Sequence, residues 1–235
     1  MPFDYRDGLI WVKVKTDAGN VPLNFLLDSG AGTSVLNLPT AHKLGIKLEG
    51  KERVGRVGAT ADAWHVRDFH AHADGIPLSS SPLAVDLSET SHECSRTIDG
   101  LIGQDFFRNR VIRIDFKERC IRLLDRADTS CSCSIMSLKM THDVMCVAIS
   151  VDGSQPRWTR LDTGCDDGLH WVAGSEGGSG RVTLQLGDEK IFNVRTIWHR
   201  SPIFPSEAGL LGNGVLSNYR ITVDGVGNRL LLERF

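Results

Sequence analysis

Two short stretches decide the reading of this chain: FLLDSGAGTSVL (Phe25–Leu36) and RLDTGCDDGLHW (Arg160–Trp171). An apolar run that stops at Asp-Ser-Gly and then resumes is ordinarily a strand ending in a turn, because Asp, Ser and Gly are the usual turn residues. The recurrence separates these stretches from an ordinary turn.

Working outward from the two aspartates, a constant shift of 134 lays Leu9–Gly30 on Asp143–Gly164 without a gap. Gly19 falls on Gly153, Pro22 on Pro156, Leu27 on Leu161 and Gly30 on Gly164, and the alternation Ile10, Val12, Val14 falls on Val144, Cys146, Ala148. Further on, a shift of 109 lays Gly100–Leu124 on Gly209–Glu233, matching Gly100, Leu101, Gly103, Asn109, Ile112, Asp115 and Leu123 with Gly209, Leu210, Gly212, Asn218, Ile221, Asp224 and Leu232. The two shifts differ by 25, so the second copy has a shorter middle. The chain reads as an internal duplication, with one lobe at 1–126, a polar linker at 127–134 containing Cys131 and Cys133, and a second lobe at 135–235.

Each copy reads mainly as strand. LIWVKVKT and MCVAISVDG alternate with period two and end in turn residues. VPLNFLLD continues from the first of these through Asp-Ala-Gly-Asn as a hairpin. TSVLNLP and GLHWVAG read as short buried strands. PTAHKLGI is the best short helix, GQDFFRNR a single helical turn, and SPLAVDLSETSHECSRTIDG a polar loop. VIRIDFKERCIRLLD and RITVDGVGNRLLLE read as closing hairpins. The expected fold is all-β and bilobed, with two homologous lobes about a pseudo-twofold axis.

Each copy supplies one Asp-Ser/Thr-Gly turn and one apolar-apolar-Gly element, Leu101-Ile102-Gly103 and Leu210-Leu211-Gly212. A twofold axis passing the turns brings Asp28 to face Asp162. Two carboxylates that close share a proton. The ionised one can take a proton from water while the protonated one polarises a carbonyl, so that water attacks an amide directly. Gly30 and Gly164 leave room beside each acid, and their amides can hold the carboxylates. Ser29 and Thr163 supply hydroxyls able to bond across to the other lobe.

With these elements in this order, the chain resembles the pepsin-like and retropepsin-like aspartic peptidases over most of both copies. The resemblance implies a bilobed β fold, a catalytic water between Asp28 and Asp162, and an extended peptide bound across the cleft. It also implies a hairpin covering that cleft, which VGRVGATADAWHVRDFHAHADG would hold, with Gly58 near a mobile tip and Trp64 closing on substrate or packed within the hairpin. The family's flap tyrosine has no clear counterpart. Gly32 stands where many members carry Ser or Thr; Thr33 or Ser34 can substitute. Cys165 reads as packing, and Asp166 and Asp167 either raise the pKa of Asp162 or face water. In the second copy the Gly-rich GSEGGSGRVTLQLGD reads as a shorter flap.

Other classes fit less well. Twenty-seven basic against 29 acidic residues, interspersed, give a net charge of −2 and no nucleic-acid or polybasic membrane footprint. No apolar run approaches a membrane span, and the Gly-rich stretch lacks the Lys and following helix of a phosphate loop. His65, His70 and His72 with Asp68 lack a third convincing ligand and are read as a surface strand, so no metal or cofactor is expected. The six cysteines show no paired framework and are read as free or partly buried thiols. The N-terminus lacks the regions of a secretory leader. The compartment stays open: extracytoplasmic if a leader was trimmed, cytoplasmic otherwise. The expectation is a monomeric endopeptidase acting on peptides or proteins. The alternatives are a degenerate peptide-binding module on the same fold and a glycoside hydrolase with two separated carboxylates.

Overall fold

The computed structural model describes residues 1–56, 59–130, 132–174 and 177–235. It is all-β, with 53% of residues in strands and 9% in helices. The first part comprises β1 (Asp4–Arg6), β2 (Leu9–Thr16), β3 (Gly19–Leu27), β4 (Val35–Asn37), α1 (Leu38–Lys43), β5 (Leu48–Arg56), β6 (Ala59–Val66), β7 (Ala71–Ala73), β8 (Ile76–Pro77), β9 (Leu83–Val85), α2 (Ser88–Glu93), β10 (Gly100–Ile102) and α3 (Gln104–Phe107). The second comprises β11 (Val111–Asp115), β12 (Cys120–Leu124), β13 (Ser134–Thr141), β14 (Val144–Val151), β15 (Arg157–Leu161), β16 (Leu169–Val172), β17 (Gly178–Leu186), β18 (Glu189–His199), β19 (Gly209–Leu211), α4 (Asn213–Leu216), β20 (Tyr219–Asp224) and β21 (Arg229–Arg234).

Strands β1–β10 form one sheet and β11–β21 the other. The hairpin β11–β12, at the end of the 1–126 segment, therefore joins the second sheet, where β11 pairs antiparallel with β20 from Val111↔Asp224 to Asp115↔Arg220. Period-two alternation explains the strands locally. Ile10, Val12 and Val14 of β2 are buried in the main apolar core, but in β14 Met145, Val147, Ile149 and Val151 occupy it rather than the expected Val144, Cys146 and Ala148, because Cys146 pairs with Arg160 where the constant shift would put Met145, and a one-residue slip exchanges the faces of a strand. A smaller core of Leu9, Trp11, Leu26, Val35, Ala63, Val85, Leu87 and Ile98 belongs to the first part.

The two parts repeat one arrangement around the turns. β10 runs parallel to β3, Leu101↔Leu26 and Ile102↔Leu27, and antiparallel to β4. β19 runs parallel to β15, Arg160↔Leu210 and Leu161↔Leu211, and antiparallel to β16. The glycine that follows each of these strands is required by close approach. A Cβ on Gly103 would lie 2.3 Å from the backbone of Thr33, and one on Gly212 would lie 2.3 Å from the carbonyl of Asp167.

The shorter middle of the second copy has a structural address. Strand β2 pairs with β7 as Lys15↔His72, and β14 pairs with β17 as Ile149↔Leu186. Most of the 25 missing residues thus fall between β4 and β7, where the first part carries α1 and the long hairpin β5–β6. From Gly178 the Gly-rich stretch of the second part runs into β17, which pairs with β14 and β18. Its glycines Gly178 and Gly180 pair only with Trp198 and Thr196 of β18, and β17 reaches β14 only at Leu184–Leu186. The loop expected over SPLAVDLSETSHECSRTIDG is corrected. Leu83–Val85 forms β9, parallel to β4, and Ser88–Glu93 forms α2, because a three-residue apolar run suffices when a buried partner strand is waiting. Cys94, Cys120, Cys146 and Cys165 are free, whereas Cys133, whose state the sequence left open, is disulfide-bonded. No helix among the described residues is long and apolar enough to cross a membrane.

Candidate active site

Strands β3 and β15 end at Leu27 and Leu161, and each hands its aspartate to a turn. The entry is fixed by the parallel neighbour: Asp28 N–H donates to Ile102 O (2.9 Å) and Asp162 N–H to Leu211 O (3.0 Å). The turns then lock to one another. Ser29 N–H donates to Thr163 Oγ1 (2.9 Å), whose hydroxyl donates to Leu27 O (2.9 Å). Reciprocally, Thr163 N–H donates to Ser29 Oγ (3.0 Å), whose hydroxyl donates to Leu161 O (2.8 Å). Ser29 and Thr163 are buried, so all four bonds are shielded from water. Behind them, Gln104 Nε2 donates to Ser29 O (3.3 Å) and Asn213 Nδ2 to Thr163 O (2.8 Å).

This lock brings the two carboxyl groups into hydrogen-bond contact. Each sits over the other turn's glycine. A Cβ on Gly30 would lie 2.5 Å from Cγ of Asp162, and a Cβ on Gly164 would lie 2.6 Å from Cγ of Asp28. Glycine is therefore required for the acids to meet. Asp28 Oδ1 accepts from Gly30 N–H (2.9 Å) and Ala31 N–H (3.0 Å), while Asp162 Oδ1 accepts from Gly164 N–H alone (2.9 Å).

Burial raises the pKa of both acids. For Asp162 burial and then the charge of Asp28 push it up to about 8, opposed by the Gly164 amide and the Arg160 guanidinium. For Asp28 the rise from burial is opposed by two backbone amides, then by Asp162 and Arg160. Hydrogen bonds to a charged form favour it. Both shifts run upward, so the two acids resist ionising together and the pair holds a proton between them. Contact at this range excludes the roughly 5–9 Å separation of carboxylates that glycoside hydrolysis uses.

Arg160 was missed by the motif reading. Its guanidinium, 7% exposed, grips Glu207 bidentately (Nε–Oε2 and Nη2–Oε1, both 2.7 Å) and donates from Nη1 to Gly30 O at 2.7 Å. It also stacks on Phe204, 3.5 Å from the ring centroid. A signal was present in the repeat: Arg160 stands opposite Leu26, and Glu207 opposite Ile98, so two charges occupy positions that are apolar in the first copy.

Ser34 is committed elsewhere, its hydroxyl donating to Asp105 Oδ1 (2.7 Å) and accepting from Gly103 N–H (3.0 Å). Asp28 is held by backbone amides in its place. Asp166 is exposed, and Asp167 pairs with Arg195 (3.2 Å) and His170 (3.4 Å). His170 Nδ1 lies 2.9 Å from His199 Nε2, and burial with the charge of His170 lowers the pKa of His199. Cys165 is packed against Gly212, and burial followed by the Asp162 charge pushes its thiol pKa up. Trp64 is half-buried against the core under Lys51 Nζ, 5.4 Å from the ring centroid. Gly58 lies outside the described residues. His65 pairs with Glu52 (3.7 Å), and no group of three metal-ligating side chains occurs among the described residues.

Residues 12–106 match the family model for aspartyl protease. The matched segment holds Asp28 and Leu101-Ile102-Gly103, and it supports an aspartyl protease family and peptidase function in general. Asp162 lies beyond it. No curated protein matches the chain.

Proposed function

We propose that this chain is an aspartic endopeptidase in which Asp28 and Asp162 activate a water for direct attack on a peptide carbonyl. The contact between the two carboxyl groups, held by reciprocal bonds between the turns, carries the reading. In the first step Asp28 takes a proton from the water as its oxygen bonds to the carbonyl carbon, and Asp162 gives its proton to the carbonyl oxygen. The resulting tetrahedral diol collapses as Asp28 passes its proton to the amide nitrogen, Asp162 takes a proton back from a diol hydroxyl, and the C–N bond breaks, which releases an amine and a carboxylic acid and restores the starting pair. No covalent enzyme intermediate forms. One chain supplies both acids, from lobes at 1–126 and 135–235 joined by 127–134, so a monomer suffices. The substrate is an extended peptide lying under the β5–β6 hairpin, with Trp64 on its path.

A non-cutting peptide-binding module would be favoured by acids crowding Asp162 or by a loosely held Asp28. Asp166 is exposed, Asp167 is neutralised by Arg195, and Asp28 accepts two amides, all of which support the catalytic reading over that rival. The test is cleavage of a peptide library between roughly pH 3 and 7, extended to about 8, beside Asp28→Asn and Asp162→Asn and with a hydroxyl-bearing transition-state mimic. The expected result is cutting that drops about 10³-fold or more in both variants, is blocked by the mimic, and declines toward pH 8 as Asp162 loses its proton. Peptides that bind without being cut by the wild type would establish the binding module instead.

A further inference from the structure

The Arg160–Glu207 pair has no role in the mechanism just proposed, yet it touches the machinery of both parts. It is buried on both sides, with exposures of 7% and 1%. Two of the three guanidinium nitrogens are spent on Glu207, in the stretch before β19, and the third reaches across to Gly30 O in the other part's turn. Gly30 is the residue over which the Asp162 carboxyl sits, and its amide holds Asp28. A rigid planar fork that satisfies three acceptors at 2.7 Å is a positioning device that lysine cannot reproduce.

We propose, on the peptidase reading above, that Arg160 is a positioning residue for the aspartate pair: braced on Glu207, it fixes the Gly30 turn and so sets where Asp28 stands against Asp162. The bracing is one-sided. The first copy has Leu26 and Ile98 at the corresponding positions, both in its apolar core, and makes no reciprocal bond to Gly164 O. The reciprocal hydroxyl bonds of Ser29 and Thr163 align the turns about their centre, while Arg160 adds a third tether on the Asp28 side only.

The same guanidinium bears on both acids, favouring their charged forms. The other titratable groups at hand among the described residues are the two aspartates themselves, the Cys165 thiol beside Asp162, Glu207 facing Arg160, and the Cys146 thiol, which lies opposite Arg160 on β14 and is pushed up by burial and then by Glu207. Asp166 is exposed, and Asp167 faces Arg195 and His170. Removing Arg160 therefore moves the titration of the pair to higher pH.

The decisive variant replaces both partners with the first copy's own residues, Arg160→Leu with Glu207→Ile. Exchanging a buried ion pair for apolar side chains is often neutral or stabilising, so the fold is expected to survive with an unchanged or higher Tm. The expected readout is a kcat about 100-fold lower with little change in KM, and a pH–rate profile displaced upward. Carboxyl NMR of the ¹³C-labelled aspartates should show the same upward displacement without relying on turnover. Arg160→Lys, which keeps the charge and loses the fork, should restore the pH profile and leave kcat low. Wild-type kcat and an unmoved aspartate titration in the double variant would overturn the proposal, as would full kcat in Arg160→Lys should the double variant fail to fold. If the wild type cuts no peptide, the peptidase reading falls, and the NMR titration alone still decides whether Arg160 acts on the pair.

Discussion

The two parts of the molecule present the same turn in different surroundings. Around Asp28, the flanking positions 26 and 98 are apolar, and the chain between β4 and β7 is long enough to raise the hairpin β5–β6. Around Asp162, the flanking positions are Arg160 and Glu207, and only five residues separate β16 from β17. What both parts share is confined to a few residues: the acid, a hydroxyl, a glycine, a parallel apolar strand and an amide side chain behind the turn. These are the groups that make the acids meet. Everything a residue or two away has been free to diverge, which is what a site assembled from two halves demands: symmetry at the contact, and asymmetry wherever one acid must differ from the other.

The largest effect that would sharpen this comparison comes from the flanking pairs. Glu207→Ala strands a buried guanidinium and should cost about 3–5 kcal/mol. Its counterpart Ile98→Ala leaves only a cavity and should cost about 2–5 kcal/mol. Denaturant melts of both distinguish a charged brace from an apolar one: the Glu207 loss should be offset when Arg160 is also made apolar, whereas the Ile98 loss should not.

Next is pH. The pKa of Asp162 is raised from 3.8 to about 8, and a raised carboxylate contributes stability that is full below about pH 4 and lost as pH climbs toward 8. The protein should therefore lose a few kcal/mol between those limits, read as a falling Tm, and Asp162→Asn should flatten the decline. An unchanged slope in that variant would place the proton elsewhere. The glycines should behave alike in the two parts. Gly30→Ala and Gly164→Ala each push a methyl into the opposite carboxyl, and each should lower kcat by about 100-fold, or about 2.7 kcal/mol of activation free energy. A tolerant Gly164 beside an intolerant Gly30 would break the symmetry at the contact. Smallest are the hydroxyls. Ser29→Ala and Thr163→Val each leave a buried N–H and a buried carbonyl without partners, for about 1–3 kcal/mol apiece in thermal or chemical melts. Unequal losses would mean that one part holds the lock alone.

Much of this was legible in the chain because it is local. Alternation in β2 and β14, the turns after Leu27 and Leu161, the helix at Leu38–Lys43 and the closing hairpins all follow from short-range pattern. β9 and α2 were not legible, since Leu83–Val85 becomes a strand only beside β4, a long-range partner. Ser34 looked available to Asp28, and nothing local announced that Asp105, 71 residues away, would claim its hydroxyl. The Gly-rich stretch at 174–180 had a flap's composition, and only long-range pairing brings the strand it leads into against β14, at Leu184–Leu186.

The sequence by itself determined which residues could do chemistry: two acids, each with its hydroxyl, its glycine and its later glycine element, at matching offsets. Tertiary structure alone decided what state they are in. The separation of 134 positions between Asp28 and Asp162 is closed by strand pairing and cross-turn bonds that no local pattern encodes, and only that closure buries the acids together and makes them compete for a proton. The same holds for Arg160. Its charge was visible in the sequence, but its partners, Glu207 at 47 residues and Gly30 at 130, exist only once the two sheets have packed.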